Sequence, residues 1–228
     1  MQHRTPIDPK ILRNVAIFST MDADQLVQIG LLLKERRYRR GAIIFHQGDE
    51  GGCLYIIRTG KVRIYLSSPD GREAGMRMYG EDMAFGEFSV LDGQPRSASA
   101  AAITDVTAFA LYRADFLNLL EHNFKLVEYV IAMLTERLRY TTNYFEKLAF
   151  LSVPGRVAAL LLQFASIEPL PDDETRLEIT QQEIATFVNT TREWVNRALR
   201  EFEEQMLIRL ERGAVIILDR AGLHQRVT

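Results

Sequence analysis

Phe85-Gly86-Glu87-Phe88-Ser89-Val90-Leu91-Asp92-Gly93-Gln94-Pro95-Arg96-Ser97-Ala98 concentrates the chemistry that decides the fold of this chain. Gly86 permits close backbone approach to a bound group, and a short helix opening after it would aim unpaired amides at an anion. Arg96 offers a charge-assisted, two-pronged bond to a phosphate, and Ser97 adds a hydroxyl beside it. Glu87, as a carboxylate, only accepts, which suits a ribose 2′-hydroxyl. A cyclic phosphate fused to a ribose presents both features close together. Glu87 and Arg96 could equally pair with each other across a loop; the residues alone leave both possibilities open.

Around this run, from Gly41 to about Tyr112, short apolar stretches alternate with glycine-rich turns. Ile43-Ile44-Phe45 precedes Gln47-Gly48-Asp49-Glu50-Gly51-Gly52. Leu54-Tyr55-Ile56-Ile57 meets Arg58-Thr59-Gly60, and Val62, Ile64 and Leu66 alternate with Arg63 and Tyr65. The turn Ser68-Pro69-Asp70-Gly71 leads into Arg72 to Tyr79, and further strands are expected at Ser97–Ala102 and Val106–Tyr112. Strands of this length and spacing predict an antiparallel barrel or sandwich.

After Arg113 the period becomes helical. Val127, Ile131, Leu134, Leu138, Thr141, Phe145 and Leu148 recur at alternating steps of four and three, three heptads of a coiled-coil seam. Neither proline nor glycine stands between Asp115 and Val153, so one helix from about Asp115 to Leu148 is expected, about 50 Å long. A helix of that length needs a partner on each face: the barrel on one, a second copy of itself on the other. Ser152-Val153-Pro154-Gly155 ends the pattern and starts the next helix, since proline fits a first turn. Glu168 to Glu174 reads as a loop.

Further on, Thr180-Gln181-Gln182-Glu183 has the form of a capping box, flanked by Ile179 and Ile184 as a hydrophobic staple. Asn189 can take the left-handed conformation of a tight turn, and a second helix opens at Thr190 or Thr191. Val195, Ala198, Leu199 and Phe202 give that helix one buried stripe. Arg192, Glu193, Asn196, Arg197 and Arg200 occupy its remaining face, where arginine could bond guanine and glutamate could accept from cytosine. Alone, this pattern also fits a solvated helix with Glu193 paired to Arg197. The capped helix before it, the short turn and the alternating hairpin Ile208 to Ile217 favour a winged helix-turn-helix.

Composition sets few limits. The 228 residues suffice for two small domains, and 47% hydrophobic with 25% charged residues is ordinary for a globular protein. One cysteine, Cys53, excludes a disulfide framework and any multi-cysteine metal site. No signal peptide or membrane span is expected, and a reducing cytoplasm fits. Residues 154–228 hold 9 Lys+Arg against 12 Asp+Glu, so any DNA affinity must come from local placement of arginines. Neither a Walker loop nor paired metal-binding carboxylates nor a nucleophile–base set appears, which speaks against an enzyme.

Over nearly its whole length the chain resembles the cAMP receptor protein branch of the CRP/FNR family. Gly86-Glu87 with Arg96-Ser97-Ala98 resembles the phosphate-binding cassette of cyclic-nucleotide domains. Leu148-Ala149-Phe150-Leu151-Ser152-Val153-Pro154-Gly155-Arg156 resembles the family's hinge, and Ile179–Ile184 with Thr191–Arg197 its helix-turn-helix. The resemblance implies an α+β chain: a cyclic-nucleotide-binding β-roll (a double-stranded β-helix) over 1–114, a dimerisation helix and hinge over 115–153, and a winged helix-turn-helix over 154–228.

By the same resemblance Glu87 holds the ribose and Arg96 and Ser97 the cyclic phosphate, within a cassette that includes Gly86, Phe88, Ser89 and Ala98. Thr141 and Thr142 match positions that contact the nucleobase, one serving its own subunit's ligand and the other the partner's. Arg192, Glu193 and Arg197 become the base-reading residues, with Thr180, Gln181, Thr191, Asn196 and Arg200 completing the DNA-binding set. The implied ligand is cAMP, acting allosterically, with cGMP or a ligand-independent regulator as the alternative. The implied partners are a palindromic DNA duplex, a second copy of the chain and RNA polymerase, with no membrane. Trp194 departs from the family, where a small residue is common, and puts the operator preference in question. The four histidines, His3, His46, His122 and His224, are scattered singly and offer no haem site.

Overall fold

The computed structural model describes residues 7, 9–19, 21–71, 73–167 and 175–227. They form two compact units, one of residues 1–71 and 76–137, the other of residues 72–75 and 138–228. The Glu168–Glu174 loop expected from sequence lies outside the described residues.

The first unit opens with α1 (Pro9–Leu12), a 3-10 turn (Ala16–Phe18) and α2 (Ala23–Leu32). Asp22 and Gln25 close a capping box at the start of α2. Strands β1 (Lys34–Tyr38), β2 (Ile43–Phe45), β3 (Cys53–Thr59), β4 (Val62–Ser67), β5 (Glu73–Tyr79) and β6 (Ala84–Phe85) follow. After the short α3 (Glu87–Asp92) come β7 (Ser99–Ala102), β8 (Val106–Tyr112) and α4 (Arg113–His122). The strands pair as two four-stranded sheets, β1-β8-β3-β6 and β2-β7-β4-β5, the β-roll that the family resemblance implies. Ser97 and Ala98 precede β7 rather than belong to it.

One apolar cluster lies among the strands, with Ile57, Val62, Phe85, Ala100 and Ala108 buried. A second packs Leu26 and Ile29 of α2, Phe116 of α4 and Leu126, Val130 and Met133 against Leu54, Ile56, Phe109 and Leu111. Strand β1 has no apolar alternation to announce it. Its sequence Lys-Glu-Arg-Arg-Tyr pairs with β8 at a sheet edge, where charged side chains are tolerated and discourage further strand pairing.

The single helix expected from Asp115 to Leu148 is two. Asn123 has extended backbone angles (φ −141°, ψ 94°), ends α4, and accepts from the Leu126 amide at 3.1 Å to cap α5 (Phe124–Phe150). Asparagine suits such a junction because its side chain replaces the backbone acceptor that the new helix lacks. α5 alone spans about 40 Å. Leu126, Val130, Met133 and Arg137 are its buried stripe.

In the second unit α5 is followed by α6 (Val153–Ile167), β9 (Thr175–Leu177), α7 (Gln181–Phe187), α8 (Arg192–Glu204), β10 (Ile208–Glu211), β11 (Ala214–Ile217) and α9 (Arg220–His224). Pro154 sits in the first turn of α6, as its missing amide allows. The sheet order is β10-β11-β9, so β11 is central and buried throughout. The alternation expected across the whole hairpin therefore appears in β10 alone. Among the described residues no helix is long and apolar enough to cross a membrane.

Candidate ligand site and helix-turn-helix

In the β-roll, Gly86 adopts a left-handed conformation (φ 77°) immediately before α3, and a second left-handed glycine, Gly93 (φ 72°), ends that helix. A Cβ at residue 86 would lie 2.7 Å from Arg96 Nη1, so glycine serves there for conformation and space together. Arg96 is only 5% exposed. Its Nη1 donates to Gly86 O at 2.7 Å and to Ser89 Oγ at 2.9 Å, and its Nη2 to Cys53 O at 2.6 Å. The guanidinium also lies over the Phe45 ring, 4.2 Å from its centroid.

Every one of those partners is neutral. Among the described residues no carboxylate pairs with Arg96, and its buried Nε has no hydrogen-bond partner. The pairing of Glu87 with Arg96 left open by the sequence is not what forms. Glu87, 4% exposed, instead faces Arg137 of α5, with Oε1 3.2 Å from Nε. Arg137 also donates to Ala84 O at 2.8 Å and to the Tyr79 hydroxyl, and stacks on the Tyr79 ring at 4.5 Å. The two buried arginines thus differ: one is neutralised by a buried carboxylate, the other is not.

Ser89 is buried, Ser97 is exposed, Ala98 is buried and Phe88 is 42% exposed. Gly86, Glu87, Ser89 and Arg96 are brought together directly. Thr141 and Thr142 fall in the other compact unit, both exposed on α5, where the Thr142 hydroxyl donates to Leu138 O at 3.0 Å. Arg137 was not singled out from sequence. Its signal was a second stripe with the same three–four spacing as the seam, Leu126, Val130, Met133 and Arg137, in which one charged residue takes an apolar place.

The helix-turn-helix follows from its local chemistry. Thr180 accepts from the Glu183 amide at 3.2 Å and Glu183 accepts from the Thr180 amide at 2.7 Å, the two halves of a capping box. Asn189 has φ 51° and turns the chain. Thr191 is the N-cap residue of α8, whose Val195, Ala198, Leu199 and Phe202 are all buried. Arg192, Glu193, Arg197 and Arg200 are exposed and Asn196 is half-buried. Gln181 ties the two helices together, accepting from Arg192 Nε and donating to Asn196 Oδ1, each at 3.5 Å. A hydrogen bond with the Thr191 side chain holds the Glu193 carboxyl below its usual range, so Glu193 is ionised and an acceptor.

Residues 35–123 match the model of the cyclic nucleotide-binding domain, and residues 155–226 that of the Crp-like helix-turn-helix domain. The chain is 36% identical to a CRP-like cAMP-activated global transcriptional regulator of Mycobacterium tuberculosis, over 95% of this chain and 98% of that one. It is 34% identical to the cyclic AMP receptor protein of Thermus thermophilus, over 89% and 93% of the two chains. Among solved structures, FixK2 of Bradyrhizobium japonicum shares the fold, with a TM-score of 0.78 at 22% identity over 86% of this chain and 98% of that one.

Proposed function

Because the chain belongs to the CRP/FNR family of transcription regulators, we propose that it is a cAMP-responsive homodimer that binds a palindromic DNA operator when the nucleotide is bound. It joins a cyclic-nucleotide-binding domain to a DNA-binding helix-turn-helix and is not an enzyme.

One observation carries the ligand: Arg96 is a buried cation with neutral partners and an unused Nε. An uncompensated charge removed from water costs several kcal/mol, and a bound anion offsets that cost. A cyclic phosphate is such an anion, and Arg96 with Ser97 would hold it while Glu87 holds the ribose. Thr141 and Thr142 would meet the nucleobase, one from each subunit. The names of the relatives, cAMP-activated at 36% identity and cyclic AMP receptor at 34%, favour cAMP. The cassette itself would take cGMP as readily, because both nucleotides present the same ribose and phosphate.

Homodimerisation is supported by the outward stripe of α5, where Ile131, Leu138 and Phe145 are 59%, 69% and 70% exposed. Nucleotide closes the roll (residues 1–114) onto the helix and hinge (115–153). The two helix-turn-helix domains (154–228) then set their recognition helices about 34 Å apart, one turn of DNA. Ligand must bind the DNA-competent arrangement more tightly than the other, since only differential affinity shifts an equilibrium. Arg192, Glu193 and Arg197 read base edges, while Thr180, Gln181, Thr191, Asn196 and Arg200 surround them. Family membership also supports a cytoplasmic location and RNA polymerase as a further partner.

The test is calorimetric titration of the purified chain with cAMP and then cGMP, repeated with Arg96→Ala. Tight cAMP binding, lost in Arg96→Ala and weaker for cGMP, is the expected result, followed by a rise in operator affinity with cAMP at fixed salt. If neither nucleotide binds, the ligand assignment falls and the chain becomes a regulator with another signal. If cAMP binds but operator affinity does not change, the allosteric mechanism falls.

A further inference from the structure

Trp194 is the only tryptophan in the chain, and it stands on the helix whose other outward residues are all polar over its first two turns. The core does not require it. Val195, Ala198, Leu199 and Phe202 complete the buried stripe of α8, and Trp194 remains 50% exposed. A large apolar ring held in water needs another reason. The Arg197 guanidinium supplies it: one turn along α8, its central carbon lies 4.7 Å from the centroid of the indole ring. That separation is inside the roughly 6 Å range of a cation–π attraction, and tryptophan is the strongest aromatic partner for one.

We propose that Trp194 is a positioning residue: its indole fixes the plane of the Arg197 guanidinium so that Arg197 reads one base of the operator. This inference rests on α8 being the recognition helix. A two-pronged bond to the edge of guanine needs the guanidinium in one orientation, and a free arginine has many rotamers to lose. Its neighbours at the helix start are already tethered to the protein. Arg192 and Asn196 are joined through Gln181. Arg197 receives from the indole the ordering that they receive from hydrogen bonds. A small residue at 194 would leave Arg197 as charged and as exposed, but unoriented. The consequence is therefore in base discrimination rather than in attraction to phosphates, which is a matter of charge alone.

Two measurements test this. With a single tryptophan, indole fluorescence of the free chain reports on residue 194 directly. Arg197→Ala should increase its quenching by acrylamide, while Arg200→Ala should not; an unchanged Arg197→Ala signal would overturn the stack. The second measurement is selection from a random-sequence duplex pool, at fixed salt with cAMP present, by wild type, W194F, W194A and R197A. All four should melt cooperatively at similar temperatures, since neither side chain is in the core. The base preference lost in R197A should be kept in W194F and weakened about 2- to 30-fold in W194A, the span of a cation–π contact from exposed to desolvated sites. Affinity for non-specific duplex should be the same in W194A and wild type.

Full retention in W194A of the preference lost in R197A would overturn the inference. So would a change in W194A at some other base position alone, which would mark direct contact between the indole and DNA. If wild type selects no common sequence at all, the recognition-helix assignment itself falls, and this inference with it.

Discussion

Leu138→Ala is the sharpest perturbation of the seam on α5. Leu138 is 69% exposed in one chain, on the stripe shared by Ile131 and Phe145. Truncation to alanine removes three carbons, each worth about 0.8 kcal/mol when taken out of water. Scaled by that exposure, each copy loses about 1.7 kcal/mol of burial in a symmetric pair. A two-fold interface meets the substitution twice, so about 3.3 kcal/mol is lost and the dimer Kd weakens about 200-fold. Sedimentation equilibrium over a wide concentration range reads this directly. Arg139→Ala, exposed but off the stripe, is the control and should leave the dimer Kd within a few-fold of wild type. An unchanged dimer Kd in Leu138→Ala would show that this stripe is not the interface.

Gly86→Ala should abolish high-affinity cyclic-nucleotide binding while the chain stays folded, because the new Cβ would press on Arg96 Nη1 at 2.7 Å and occupy a left-handed conformation; calorimetry and a melting curve separate the two effects. Arg137→Met should cost about 3–5 kcal/mol of stability in urea unfolding, by stranding the buried Glu87 carboxylate, and the double variant with Glu87→Gln should recover most of that loss. Burial holds the Lys147 amine below its ordinary value of 10.5, so the folded state disfavours its charged form. The cost is present in full below the folded value and is released as pH rises from there towards 10.5, where the unfolded state binds more protons. The stability of wild type relative to Lys147→Met should therefore increase over that interval, and a flat difference in urea unfolding would refute the assignment.

What the sequence conveyed depended on whether a residue's work is local. The capping box at Thr180 and Glu183, the turn at Asn189 and the stripe from Val195 to Phe202 each act within a few positions, and all were legible. The short helix opening after Gly86 was legible for the same reason. The break at Asn123 was not. It lies in a run with helical period on both sides and no glycine or proline, and an asparagine cap looks there like one more polar position. Strand β1 was hidden because an edge strand needs backbone pairing rather than apolar alternation, and Lys34–Tyr38 finds its partner about seventy residues away in β8. Arg137 escaped for a related reason. The outward stripe of α5 was read as the seam, and the inward stripe one residue earlier carries the carboxylate's partner. Whether Glu87 would meet Arg96 or Arg137 is a question of packing at long range, and no spacing rule could answer it.

The acidic balance of residues 154–228 argues less against DNA binding once four of its carboxylates are placed. Glu183 is consumed by the capping box, Glu203 accepts from the Leu210 amide to join α8 to β10, Glu201 pairs with Arg226 and Glu211 with Arg176. These acids hold the domain together. Along α8 the charges also separate by position, Glu193 apart: Arg192, Arg197 and Arg200 occupy its first nine residues, and Glu201, Glu203 and Glu204 its last four. A helix that enters the major groove by its N-terminal part presents the basic end to the bases and leaves the acidic end against its own β-sheet. Net charge averages over these two ends and so misses the field that a duplex would meet. A domain of this kind gains little from non-specific attraction, which makes the orientation of each exposed arginine, Arg197 on its indole above all, matter more to how it chooses a site.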